Sequence, residues 1–111
     1  MASPPEGEPP SFVRNGYPPD LPRKLRRGAW RIGDELDLHG LNRVEASSLA
    51  QEFLDQAVVR GWRCVRIVHG KGEVLRGMLR AALPQRASVI AFTEAPPAQG
   101  GSGAMLVLLK A

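Results

Sequence analysis

A two-layer α/β sandwich is the fold this sequence predicts, with a four-stranded mixed sheet and both helices on one face. Three observations carry that expectation. From Ile32 onward, short apolar runs of strand type alternate with segments of helical periodicity, in the order β-α-β-α-β-β over about 80 residues. Right-handed crossovers between successive strands place both helices on the same face and leave the other open, suited to a large, flat ligand. Ahead of this pattern the composition changes: the first 22 residues hold seven of the ten prolines, which block helix interiors and sheet ladders. Residues 1–30 are therefore expected to form a disordered or extended arm, and residues 31–111 the domain.

Each element has its own signal. The arm ends in "RKLRRGAWR", which packs Arg23, Lys24, Arg26, Arg27 and Arg31 into nine positions. Such a cluster is either a solvated segment or a cationic arm that contacts phosphates. Trp30 is expected to pack onto the domain edge where order begins. "ELDLHG" is a short strand, with Leu36 and Leu38 on one face and Asp37 and His39 on the other. "NRVEASSLAQEFLDQAVVRG" is a helix whose stripe is Ala46, Leu49, Ala50, Phe53, Leu54, Ala57 and Val58. Asn42 with Glu45 resembles a capping box, and Gly61 suits the position just past the end. "CVRIVHG" is a second strand that buries Val65 and Ile67. A second helix follows from Val74 to Leu83, with Leu75, Met78, Leu79 and Ala82 inward, stopped by Pro84. "SVIAFTEA" and "AMLVLLK" are the last two strands, joined by "PPAQGGSG", too long for a tight hairpin.

Composition narrows the function. A chain of 111 residues holds one domain, and its 43% apolar content supports a packed core. Aromatic residues are only 5%, too few for a stacking platform to be the main binding device. The single cysteine, Cys64, excludes an intrachain disulfide and a multi-cysteine zinc site, and reads as a small buried hydrophobe. No apolar run precedes the first charges and none approaches the length of a membrane span, so a cytoplasmic protein is expected. A net charge of +4 favours anionic partners, nucleic acid first.

Parallel pairing of the first two strands would bring "HGLN" and "HGKGE" to one edge, each opening onto a helix N-terminus. Ligands of open α/β sheets bind at such carboxyl ends, and helix N-termini favour anions. That edge would gather Asp37, His39, His69 and Lys71 with the amides around Gly70 and Gly72. An imidazole exchanges protons near neutral pH, so His39 is a candidate general base or acid. Asp37 could orient it, and Lys71 with Arg76 could neutralise charge developing on a phosphate. Taken singly, Asp37 and His39 are equally readable as loop caps and His69 as a satisfied sheet-edge histidine; the pairing of two strand-ending His-Gly turns favours chemistry. Two histidines and an aspartate also form a zinc set, but nothing nearby completes a shell, and neither metal nor other cofactor is expected. "GKGE" lacks the spacing of a nucleotide loop. "GGSG" is most simply a flexible turn.

"LDLHGLNRVEA", "RIVHGKG", "LR" and "GGSGAMLVLL", in this order, resemble the Smr (small MutS-related) domain over roughly Arg26 to Lys110. The resemblance is to the short stand-alone bacterial type; no mismatch-recognition or ATPase segment accompanies it. It implies a compact two-layer α/β domain, similar in topology to the C-terminal domain of a bacterial translation initiation factor. Family members include nucleases that nick DNA and others that cut messenger RNA at collided ribosomes. On this resemblance Asp37 and His39, in the Asp-Leu-His motif, are catalytic. His69, Gly70, Lys71 and Gly72 belong to a loop associated with nucleic-acid binding or the active edge. Many members carry a further glycine here; this chain has Glu73 and Val74 instead, a negative charge where a phosphate would approach.

The function expected is a metal-independent endonuclease acting on DNA or on RNA, ribosome-bound message included. Its nucleic-acid contacts would be His69, Gly70, Lys71, Gly72, Arg76, Arg23, Lys24, Arg26 and Arg27. The alternative is a non-catalytic nucleic-acid- or ribosome-binding module on the same surface. A small-molecule enzyme is disfavoured because so short a chain suggests no enclosing apolar pocket.

Overall fold

The structure, a computed structural model, describes residues 9–111. Its sheet has five strands, in the order β1-β4-β5-β3-β2: β1 (Ser11–Val13), β2 (Ile32–Asp37), β3 (Cys64–Val68), β4 (Val89–Glu94) and β5 (Ala104–Leu109). Only β2 and β3 run parallel; the other neighbours are antiparallel. Helix α1 is Leu21–Arg26, α2 is Arg43–Val59 and α3 is Glu73–Ala82.

The four-stranded expectation is corrected by β1, and the extended arm by β1 and α1 together; residues 1–8 lie outside the described residues. Three of the described prolines permit this because they sit where a missing N–H is tolerated. Pro9 and Pro10 precede β1, which is an edge strand, and Pro22 lies in the first turn of α1. β1 pairs with β4, and Phe12 stacks on Phe92 with ring centroids 5.3 Å apart. Arg14 follows directly, its backbone N–H donating to the Ile90 carbonyl at 2.8 Å. Its guanidinium donates to the carbonyls of Val89 at 2.8 Å, Pro84 at 2.9 Å and Arg86 at 2.8 Å.

Alternation along the strands makes two cores. Val65, Ile67, Met105, Val107 and Leu109 meet α2 and α3 through Ala50, Leu54, Leu75 and Leu79. Cys64, Ile90, Leu106 and Leu108 face the other way and are covered by Leu21 and Leu25 of α1. The second face is therefore not open throughout, as the four-stranded expectation had it. The i, i+4 spacing of Leu21 and Leu25 gives α1 an apolar stripe that buries against it. Trp30 is partly buried on the same side.

α2 begins with the capping box: the Glu45 N–H donates to Asn42 Oδ1 at 2.9 Å, and the Asn42 N–H to Glu45 Oε1 at 3.4 Å. Of its expected stripe, Ala46, Ala50, Leu54 and Ala57 are buried, whereas Leu49 and Val58 stay about 40% exposed at the margins. α3 starts at Glu73 and gives way after Ala82 to a 3₁₀ turn at Leu83–Gln85. The register of β2 slips between Ile32 and Asp34, at Gly33, where the Trp62 ring lies so close that a Cβ would sit 2.3 Å from it. None of the described helices is long and apolar enough to cross a membrane.

Candidate active site

Parallel pairing of β2 and β3 brings Asp37 opposite Val68, so the loops that follow both strands leave from one edge. Leu38 is fully buried beneath that edge, its N–H donating to the Val68 carbonyl at 2.7 Å. This plug fixes the backbone on either side of it. Asp37 points to the face away from α2 and α3, and the chain turns back so that His39 meets it.

His39 Nδ1 lies 2.6 Å from Asp37 Oδ1, and the His39 backbone N–H donates to the same oxygen at 3.0 Å. An ionised carboxylate only accepts, so the contact places the proton on Nδ1 and leaves Nε2 of the neutral ring as a free acceptor. The hydrogen bond from the His39 side chain, then that from its backbone, holds the Asp37 carboxyl below the usual carboxylate range; the charge of Arg66 adds to this. Both side chains are more than half exposed, within reach of a macromolecular ligand.

The second His-Gly loop closes on the first. Gly70 has φ +83, and a Cβ placed on it would come within 3.4 Å of the His39 Cβ. A left-handed backbone at this spot suits glycine alone among the residues that could keep the approach. A cleft of about 380 Å³ opens between the loops, lined on one side by His39, Gly40 and Leu41 and on the other by residues 69–75, His69, Lys71 and Glu73 among them. Gly72 is the N-cap of α3 and supplies no side-chain cap. Because β5 runs antiparallel to β3, the "GGSG" turn joins the same edge, and the Gly103 carbonyl accepts from His69 N at 2.9 Å and Gly70 N at 3.0 Å.

The edge thus assembles Asp37, His39, Gly70, Lys71 and Gly72, and it separates the rest. His69 is only 4% exposed, and its Nδ1 lies 2.7 Å from the Gly70 carbonyl oxygen. Its ring faces a chamber beneath α3 lined by Arg76, Arg80, Glu94 and Ser102. Burial lowers the His69 pKa; the hydrogen bond to Gly70 opposes that, and the charges of Arg76 and Arg80 reinforce it. Arg76 turns into the same chamber and pairs with Glu73, which offsets the negative charge expected to repel a phosphate. Arg23, Lys24 and Arg26 belong to α1 and Arg27 is its C-cap, on the sheet face to which Asp37 also points, but none of them lines the cleft; Lys24 also pairs with Asp20 at 3.6 Å. Among the described residues no group of three His, Cys, Asp or Glu side chains is placed to hold a metal.

Two participants escape a motif search. Arg66 bonds Glu35 at 2.7 Å and the Gln99 carbonyl at 2.7 Å, tying β2 to the third loop beside Asp37. Its signal was strand alternation: between buried Val65 and Ile67, it must share the face of Asp37. The Gly103 carbonyl has no such signal, since its role depends on the antiparallel arrival of β5.

Comparison with known proteins is consistent across sequence and structure. The sequence profile of the family described as Smr domain matches residues 36–110. Ribosome rescue factor SmrB of Photobacterium profundum is 33% identical over 105 residues, 94% of this chain and 60% of its own length. Endonuclease MutS2 of Carboxydothermus hydrogenoformans is 43% identical over 77 residues, 68% of this chain but 10% of its own length. The chain therefore spans less than two thirds of either relative. The crystal structure of YdaL, a stand-alone small MutS-related protein from Escherichia coli, superposes with a TM-score of 0.83 at 31% identity, covering 95% of this chain and 86% of that one.

Proposed function

Because this chain belongs to the Smr domain family, we propose that it is a nucleic-acid endonuclease that cuts a phosphodiester at the Asp37–His39 edge. The observation that carries the proposal is the anchored imidazole: Asp37 accepts the Nδ1–H hydrogen bond at 2.6 Å, which leaves Nε2 available as a base. Names borne by relatives, an endonuclease and a ribosome rescue factor, point to the same chemistry and to ribosome-associated message as one source of substrate.

On RNA, His39 Nε2 takes the proton of a 2′-hydroxyl. The 2′-oxygen attacks the adjacent phosphorus, the P–O5′ bond breaks, and a proton from solvent completes the 5′-hydroxyl. On DNA the same nitrogen deprotonates a water, whose oxygen attacks the phosphorus; one P–O ester bond breaks, and a proton from solvent completes the leaving hydroxyl. In either case the Lys71 ammonium, on the other wall of the cleft, offsets charge gathering on the phosphoryl oxygens. Arg76 was expected to share that task. Paired with Glu73 and turned inward, it instead offsets that carboxylate, so that the charge of Lys71 is not cancelled. The steps use no metal, so cleavage in excess chelator is expected.

The test is incubation of labelled single-stranded RNA, single-stranded DNA and duplex DNA with the protein, in chelator or magnesium, with products resolved by length. Cleavage lost in His39→Ala supports the proposal. A second possibility, a binding module without cleavage, is favoured by the basic cluster on α1, none of whose residues lines the cleft. It predicts salt-dependent binding that weakens when Arg23, Lys24, Arg26 and Arg27 are neutralised, and no cut strand in any condition.

A further inference from the structure

We infer that His69 acts as a positioning residue: its imidazole holds the 69–72 loop against His39 from inside the domain and does not contact the nucleic acid. The inference rests on the cleavage proposal for its catalytic consequence, but its structural basis is separate. His69 is nine-tenths buried and more, at 4% exposure. Its Nδ1–H donates to the Gly70 carbonyl at 2.7 Å, since that oxygen can only accept. This fixes the neutral tautomer and aims Nε2 at the chamber under α3.

That chamber measures about 10 Å³, room for about one water and far too little for a phosphate group. The groups facing the ring there are Arg76 and Arg80 from α3, Glu94 from β4 and Ser102 from the third loop. His69 also borders the outer cleft, but with only 4% of its surface exposed it offers a nucleic acid there little to touch. From the other side, the Gly103 carbonyl accepts the N–H groups of both His69 and Gly70. Gly70 is thus gripped at its N–H by one loop and at its carbonyl by the ring, in a left-handed conformation that faces His39. Releasing the carbonyl grip frees the wall against which His39 is set. Misplacement of a catalytic group by about 1 Å costs on the order of a hundredfold in rate, so a single internal hydrogen bond becomes a kinetic determinant.

Amide substitutions separate the two ring nitrogens. In His69→Asn the amide nitrogen falls near the place of Nδ1; in His69→Gln it falls near the place of Nε2. Full-length His69→Asn, His69→Gln and His69→Ala are compared with the parent by hydrogen exchange at the Gly70 amide, by kcat and KM on a labelled oligonucleotide, and by affinity for an uncleavable analogue. The expected result is that Asn keeps Gly70 protection and stays within about threefold in kcat. Gln and Ala lose protection and drop kcat by roughly 10–100-fold, with KM and affinity little changed. Activity kept by Gln and lost by Asn would overturn the inference, because Nε2 would then be the working atom. Unchanged Gly70 protection in all three would overturn it as well. If the parent protein cuts nothing, the cleavage proposal fails on its own, and the exchange pattern of Asn against Gln still decides the positioning of the loop. If Ala does not fold, the Asn and Gln pair decides alone.

Discussion

Removing the Arg14 side chain tests whether the N-terminal segment is part of the fold or an appendage. The guanidinium donates to three carbonyls, at 2.8, 2.9 and 2.8 Å, from residues 70 to 75 positions away in sequence. It also lies 5.5 Å from the centre of the Phe12 ring. A hydrogen bond from a charged donor contributes about 1.5–3 kcal/mol when fully buried. Here the bonds are partly buried and the freed carbonyls regain water, so about 1 kcal/mol each is the appropriate scale. With the ring contact, Arg14→Ala should cost about 3 kcal/mol, and Arg14→Lys, which satisfies one carbonyl, about 2 kcal/mol. Urea unfolding followed by the fluorescence of Trp30 and Trp62 measures both. At roughly 4–8 °C per kcal/mol for a domain of this size, the alanine variant should melt about 12–24 °C lower. A loss below about 0.5 kcal/mol, within the range of ordinary surface substitutions, would refute the reasoning and return residues 9–26 to the status of a loose arm.

Gly33→Ala should cost about 1–3 kcal/mol, because its Cβ would meet the Trp62 ring at 2.3 Å; the penalty should shrink in a Trp62→Ala background, and an additive double mutant would contradict the contact. His69 is held below its ordinary pKa of 6.5, so as pH falls through that value the unfolded chain takes the proton first and the fold loses stability. Urea midpoints from pH 8 to 5 should therefore fall more steeply for the parent than for His69→Asn; parallel slopes would refute the burial of a neutral ring. Burial pushes the Cys64 thiol up to about 11, so a thiol reagent at pH 8 should label it only as the protein unfolds, and fast labelling of folded protein would contradict that placement.

Much of the architecture was legible because its causes are local. Alternation put Leu36 and Leu38 inward, and Asn42 with Glu45 announced the start of α2. For the N-terminal segment, proline content as a total predicts an arm, whereas the position of each proline decides. Pro22 is harmless in a first helical turn, and the Leu21–Leu25 stripe beside it was the signal overlooked amid the arginines. The candidate site was legible as far as Asp37 and His39, whose spacing and turn are encoded within three residues. The inward turn of His69 and Arg76 was not, because it depends on where α3 and β4 close a chamber that no local pattern describes. Nor could the sequence foresee Gly103, which reaches the edge only through the pairing of β5 with β3.

The claim on which the account turns is that His39 Nε2, set by Asp37, moves the proton in strand cleavage. Single-turnover cutting of one labelled RNA in excess chelator, by the parent, Asp37→Asn and His39→Ala, tests it most directly. The account predicts that His39→Ala loses about 10²–10⁴-fold in rate while affinity for the uncut strand is kept, with Asp37→Asn also impaired. Cutting by His39→Ala at the parent's rate would contradict it.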